Sequence, residues 1–191
     1  DLDVVLARNV RNDEDETVVY ENVDGALREA LVLDDTRGGR SIGVFDVDED
    51  GQLDLLLTED KWTGASSVMF RNRGDFRFED VTAETGLPGD VHALGIGVGD
   101  LTGDGSVDLV FGGSNRVFVS RGDGTFREAT SSPLAWEIFG DEDDPAGVAV
   151  ADLNRDGLLD VVIGQHHNST IDFDQSVPVR LFLNRGVDGS G

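Results

Sequence analysis

A chain of 191 residues with 15 basic and 39 acidic residues, net −24, is repelled by a phosphate backbone, which makes nucleic acid a poor partner. An apolar content of 38% with ten Phe argues against disorder, and no apolar run approaches the roughly eighteen residues of a membrane helix. Zero Cys excludes disulfides and thiolate metal sites.

The acidic excess is mostly Asp, and Lys61 is the only lysine. Two readings stay open. A saline host favours a carboxylate-rich surface screened by salt, and divalent-cation sites use some of the same carboxylates. The N-terminal DLDVVLARN has neither a basic nor an apolar leader pattern, so any signal peptide is expected to have been removed or to lie outside this stretch.

In chain order, DLDVVLARN and TVVYENVDGALREA come first. Three segments then superimpose without gaps: IGVFDVDEDGQLDLLL from Ile42, IGVGDLTGDGSVDLVF from Ile96 and VAVADLNRDGLLDVVI from Val148. Their leading loop aspartates, Asp46, Asp100 and Asp152, lie 54 and 52 residues apart. A second signature follows each: SVMFRNRGDFRFEDVT, RVFVSRGDGTFREAT and VRLFLNRGVDGSG. The opening DLDVVLARN aligns with QLDLLLTED, so the chain starts inside one repeat and stops inside another.

Each repeat reads as four short antiparallel strands, A to D, because apolar runs are punctuated by Gly, Asn and Asp and no helical period is sustained. The expected fold is all-β, built of β-propeller blades, about three and a half of them within one partial propeller. Residues 1–33 form a blade lacking its first strand and loop, 40–82 and 93–130 are whole, and 146–191 lack the last strand.

Between strands A and B runs Asp-x-(Asp/Thr/Asn)-x-Asp-Gly-x-x-Asp, three times. Positions 1, 3 and 5 turn oxygen atoms toward one point, the Gly at 6 allows a sharp bend, the carbonyl at 7 points inward, and the Asp at 9 closes the cage. The predicted ligands are Asp46, Asp48, Asp50, Gln52 and Asp54; Asp100, Thr102, Asp104, Ser106 and Asp108; and Asp152, Asn154, Asp156, Leu158 and Asp160. Oxygen-only donors suit Ca²⁺, giving three expected sites. An EF-hand would need Glu at position 12, where Leu57, Phe111 and Ile163 stand inside apolar strands. One such turn is common without a metal; three with the same spacing point to one.

These segments resemble FG-GAP or VCBS repeats, the calcium-binding blades of integrin alpha-subunit propellers. RNRGDFRFEDVTAETGL and SRGDGTFREAT are similar to the cartilage acidic protein and ASPIC/UnbV branch of that group. The resemblance implies a seven- or eight-bladed, extracellular or cell-surface propeller used for adhesion or binding.

Strand alternation puts the A-to-B and C-to-D connections at one end of each blade and the irregular B-to-C and D-to-A connections at the other. The irregular end carries Lys61, Trp62, His92, Trp136, His166 and His167. A protein or glycan ligand recognised around Trp62, His92, Trp136 and His166 is the functional reading, and Trp folded over blade edges with solvated His is the plainer one. Adjacent His166 and His167 point to opposite sides of an extended segment, against a metal pair. The acidic runs Asp13 to Glu16 and Asp141 to Asp144 read as solvated surface. Both Arg-Gly-Asp triplets, at Arg73 and Arg121, fall on the C-to-D hairpin, where turn chemistry explains them. Asn168-Ser169-Thr170 is a glycosylation acceptor.

No nucleophile or phosphate-loop motif is present, so a non-catalytic calcium-binding scaffold leads. The alternative is a segment of a propeller enzyme with its active site opposite the calcium loops, His92 or His166 acting as general base. A spacer with no ligand is a third possibility. Open edges on the incomplete end blades are expected to favour self-association.

Overall fold

Apolar runs of five to seven residues between Asp/Gly-rich turns are too short for helices and the right length for strands. The computed structural model describes residues 2–7, 17–33, 39–59, 66–129, 144–166 and 179–186, which fold into four antiparallel sheets. Sheet I comprises β1 (Val4–Leu6), β2 (Thr17–Val23) and β3 (Ala26–Leu33). Sheet II runs in order through β4 (Ser41–Phe45), β5 (Asp54–Thr58), β6 (Val68–Asn72) and β7 (Phe78–Asp80). Sheet III is β8 (Ala93–Gly99), β9 (Asp108–Gly113), β10 (Arg116–Ser120) and β11 (Phe126–Glu128). Sheet IV holds β12 (Asp144–Ala151), β13 (Asp160–His166) and β14 (Arg180–Phe182). Each sheet is a meander of consecutive strands, and among the described residues one 3-10 turn, Thr82–Glu84, is the sole helical element. The all-β, blade-type expectation holds, with three, four, four and three strands.

Alternation along the second and third strands of each sheet assigns their side chains to the two neighbours. Leu55, Leu57 and Phe70 of sheet II pack toward Val5, Val19 and Leu33 of sheet I. Leu56 and Met69, one residue out of phase, pack against Leu109, Phe111 and Phe118 of sheet III. Val110 and Val117 then meet Val161, Ile163 and Phe182 of sheet IV. The core is therefore three slabs between successive sheets, and Leu55, Leu56 and Leu57 are all buried because β5 has a sheet on each side. Sheets I and IV share no core cluster among the described residues.

Close approach of the first strands depends on small residues. A Cβ on Gly97 would lie 2.6 Å from Val148 Cγ1 and one on Gly99 2.8 Å from Leu159 Cδ1, so β8 can seat β12 only as glycine. The connection from β7 to β8 is fixed rather than loose. Val81 and Val91 are buried in the central slab, and Ser67 Oγ donates to the Val91 carbonyl at 2.9 Å.

Candidate metal centre

The three A-to-B loops adopt one backbone design. Position 4 (Glu49, Gly103, Arg155) and position 6 (Gly51, Gly105, Gly157) are left-handed in every loop, with φ between 60° and 96°. This curls the chain around the position 1 carboxylate. Asp46 accepts amides from Asp50 (3.1 Å) and Gly51 (2.8 Å); Asp100 from Gly103 (2.6 Å), Asp104 (3.1 Å) and Gly105 (2.9 Å); Asp152 from Arg155 (2.7 Å), Asp156 (3.1 Å) and Gly157 (3.0 Å). Position 5 accepts from position 7: Gln52 N to Asp50, Ser106 N to Asp104 and Leu158 N to Asp156, each 2.9 Å.

Position 9 sits apart from the turn, fully buried at the start of the second strand. Asp54 accepts the amides of Val47 (2.8 Å) and Asn72 (2.7 Å), joining its loop to the third strand. Asp108 takes those of Leu101 (2.9 Å), Thr102 (3.1 Å) and Ser120 (2.9 Å), and Asp160 those of Leu153 (3.0 Å) and Asn184 (2.9 Å). In sheet I, Asp3 accepts from Asn22 N at 2.9 Å, the same kind of latch. Burial pushes the Asp54 and Asp108 carboxyls above their ordinary 3.8, against the backbone donors that pull them down. Sequence reasoning gave position 9 only a metal role. The buried strand start after the loop was the available sign of a second one.

The first loop gathers its acids most closely. Asp46, Asp48 and Asp50 each offer a carboxylate oxygen within 4.8 Å of the others, the one such trio among the described residues. Asp48 Oδ1 is buried and accepts no hydrogen bond, while Asp48 Oδ2 lies 3.0 Å from Arg71 Nε on β6. In the other loops position 3 is neutral, Thr102 or Asn154, and Val119 or Leu183 stands where Arg71 does. The extra carboxylate and the extra cation thus occur together. The amide of Asn154 binds within its own loop, Nδ2 donating to Asp156 Oδ2 at 2.8 Å.

Loops of neighbouring sheets touch on this end, as strand alternation requires. Ser106 Oγ donates to Glu49 Oε1 at 2.8 Å, and a Cβ on Gly124 would lie 2.8 Å from Arg71 Nη2. Both Arg-Gly-Asp triplets form C-to-D hairpins: Arg73 N donates to Arg77 O at 2.7 Å and Arg121 N to Thr125 O at 3.0 Å. Their arginines fold back, Arg73 onto Glu79 (2.6 Å) and Arg121 toward the Phe126 carbonyl (3.4 Å), while Asp123 accepts from Thr125 N (3.0 Å). These are side chains used in turns.

At the opposite end only His92 of the predicted recognition residues has a described side chain. It is half-buried, with Nδ1 lacking a hydrogen-bond partner. Lys61, Trp62, Trp136, His167, the Asn168 acceptor and the run Asp13 to Glu16 lie outside the described residues, as do the side chain of His166 and the run Asp141 to Asp144 apart from the backbone of Asp144.

Residues 111–163 match the FG-GAP-like repeat. That span contains the whole third loop. The chain is also similar to cartilage acidic protein 1 of Homo sapiens, 34% identical over 125 residues, and of Xenopus tropicalis, 33% over 121. Each match covers 62% of this chain but 16% and 17% of the relative, so the chain spans a small part of their length. The expected resemblance to FG-GAP repeats and the cartilage acidic proteins is met. No described helix is long and apolar enough to cross a membrane.

Proposed function

We propose that this chain is a non-catalytic FG-GAP scaffold whose loops bind Ca²⁺ and whose opposite end presents variable loops to a protein or glycan outside the cell. The observation that carries the metal reading is the first loop: three converging carboxylates, with one buried oxygen left without a donor. A hard divalent cation satisfies that oxygen and relieves the mutual repulsion of the acids. Asp46, Asp48 and Asp50 would hold it, and the corresponding residues Asp100, Thr102 and Asp104, and Asp152, Asn154 and Asp156, would hold two more. The cation supplies charge and cross-linking, with no chemistry required of it. Because the loops also touch one another through Ser106 and Glu49, an ion in one loop stiffens the next blade.

Extracellular placement is supported by the similarity to FG-GAP-like repeats and cartilage acidic protein 1, and oxygen cages of extracellular modules fill at the millimolar Ca²⁺ found outside cells. Melting followed with Ca²⁺ and with chelator at fixed ionic strength tests the proposal. The expected result is a rise in Tm of several degrees with Ca²⁺; a rise reproduced by Na⁺ alone would assign the effect to general screening instead.

A further inference from the structure

We infer that Glu49, a residue of the first loop, is a positioning residue for the second, supplying the negative charge that its cage lacks. The inference rests on the calcium reading proposed for these loops. In the first loop three acids converge, Asp46, Asp48 and Asp50. The second has neutral Thr102 at position 3, and both oxygens of its buried Asp108 accept backbone amides. Asp100 and Asp104 are therefore the two acids left to face a divalent cation there, one carboxylate fewer than in the first loop.

Glu49 brings a third carboxylate to that loop from the neighbouring sheet. Its Oε1 accepts from Ser106 Oγ at 2.8 Å, and Ser106 stands at position 7, where its amide donates to Asp104 at 2.9 Å. One residue thus joins Glu49 to an acid of the second loop. Sheet III makes room for the pair: a Cβ on Gly122 would lie 3.2 Å from Ser106 Oγ and 3.4 Å from Glu49 Oε1, so the hairpin after β10 closes on it as glycine. Glu49 reaches across from a left-handed backbone, φ 60°, a conformation that a residue with a side chain seldom adopts. At the next junction neither partner recurs. Position 4 of the second loop is Gly103, with no side chain, and position 7 of the third is Leu158, with no hydroxyl. The charge is therefore placed at the second loop and has no equivalent at the third. Glu49 acts through Ser106: its charge attracts a cation, and its hydrogen bond fixes the residue that holds Asp104.

Site-resolved NMR titration of the 191-residue chain with Ca²⁺ tests the inference. The amides of Gly51, Gly105 and Gly157 each donate to the position 1 carboxylate of their own loop, so each reports its own site. Glu49→Gln removes the charge and keeps an acceptor for Ser106. It is expected to weaken binding read at Gly105 by about three- to tenfold and to leave Gly157 unchanged. Ser106→Ala leaves the charge but frees Glu49 from the second loop, and a loss of about twofold or more is expected at Gly105 with Gly51 and Gly157 unchanged. Amide spectra recorded in chelator check that both variants keep the fold. If Gly105 responds in the wild type and its affinity is the same in Glu49→Gln, or if Gly157 weakens as much as Gly105, the inference is overturned while calcium binding stands. If none of the three glycines responds to Ca²⁺ in the wild type, the calcium reading itself fails and the inference with it.

Discussion

Replacing Asp108 by Ala removes the acceptor for three backbone amides, those of Leu101, Thr102 and Ser120. Bonds to a charged acceptor contribute roughly 1.5–3 kcal/mol each, and stranded donors cost about as much when dry. Two effects reduce the sum. The amides of Leu101 and Thr102 lie at a loop that water can reach, and burial of the Asp108 carboxylate, visible in its raised pKa, already offsets part of the gain. A net loss of about 3–5 kcal/mol remains. For a chain of this size about 4 kcal/mol lowers Tm by roughly 8–16 °C. Asp108→Asn keeps one oxygen and turns an NH₂ toward a backbone donor, so it recovers only part of the loss. The assay is thermal unfolding by circular dichroism, run with Ca²⁺ and again in chelator. Because the latch holds backbone amides whether or not an ion is bound, most of the loss is expected in both. A loss confined to the Ca²⁺ sample, or one below about 1 kcal/mol in chelator, would refute the latch and return position 9 to a ligand role alone.

Three further outcomes follow from named contacts. Arg71→Met is expected to raise Ca²⁺ affinity at the first loop by a few fold, because the guanidinium 3.0 Å from Asp48 offsets the charge a cation would use; calorimetric titration reads it, and an unchanged affinity contradicts it. In the same titration Thr102→Asp or Thr102→Asn should strengthen the second loop, and no gain would show that position 3 is not a ligand there. Gly124→Ala should lower stability by about 1–2 kcal/mol in urea unfolding, since its φ is 83° and the added Cβ would lie 2.8 Å from Arg71 Nη2; a neutral substitution would show that the hairpin yields. Arg116 binds Glu128 (2.7 Å) and Asp90 (3.0 Å), and these bonds hold both carboxyls below their ordinary 4.5 and 3.8. That contribution is complete above 4.5 and fades as pH falls through the lowered folded-state values, so Arg116→Gln should flatten the stability profile below about pH 4.5 and leave its shape near neutrality unchanged.

The fold was legible because its signals are local and repeated. Ile42, Ile96 and Val148 open segments that align without gaps, and Asp/Gly turns bound each strand, so four sheets and their strand numbers follow from pattern alone. The A-to-B loops were legible as one repeated Asp/Gly turn for the same reason. Less visible was what depends on contacts across the sheet. Asp54, Asp108 and Asp160 look like ligands in a linear motif, yet each reaches a third strand 12 to 24 residues away to hold Asn72, Ser120 and Asn184. Arg71 reads as an ordinary strand residue until Asp48 is found beside it. The small-residue seat on β8 reads as weak strand propensity, and only the approach of Val148 and Val150 explains Gly97 and Gly99.

Counting bound Ca²⁺ by equilibrium dialysis at a few millimolar free Ca²⁺, with wild type and with Asp46→Asn plus Asp50→Asn, tests calcium binding most directly. Three ions per chain in the wild type and two in the double variant are the expected result. No ion bound by the wild type, or a count unchanged by the double substitution, would contradict it.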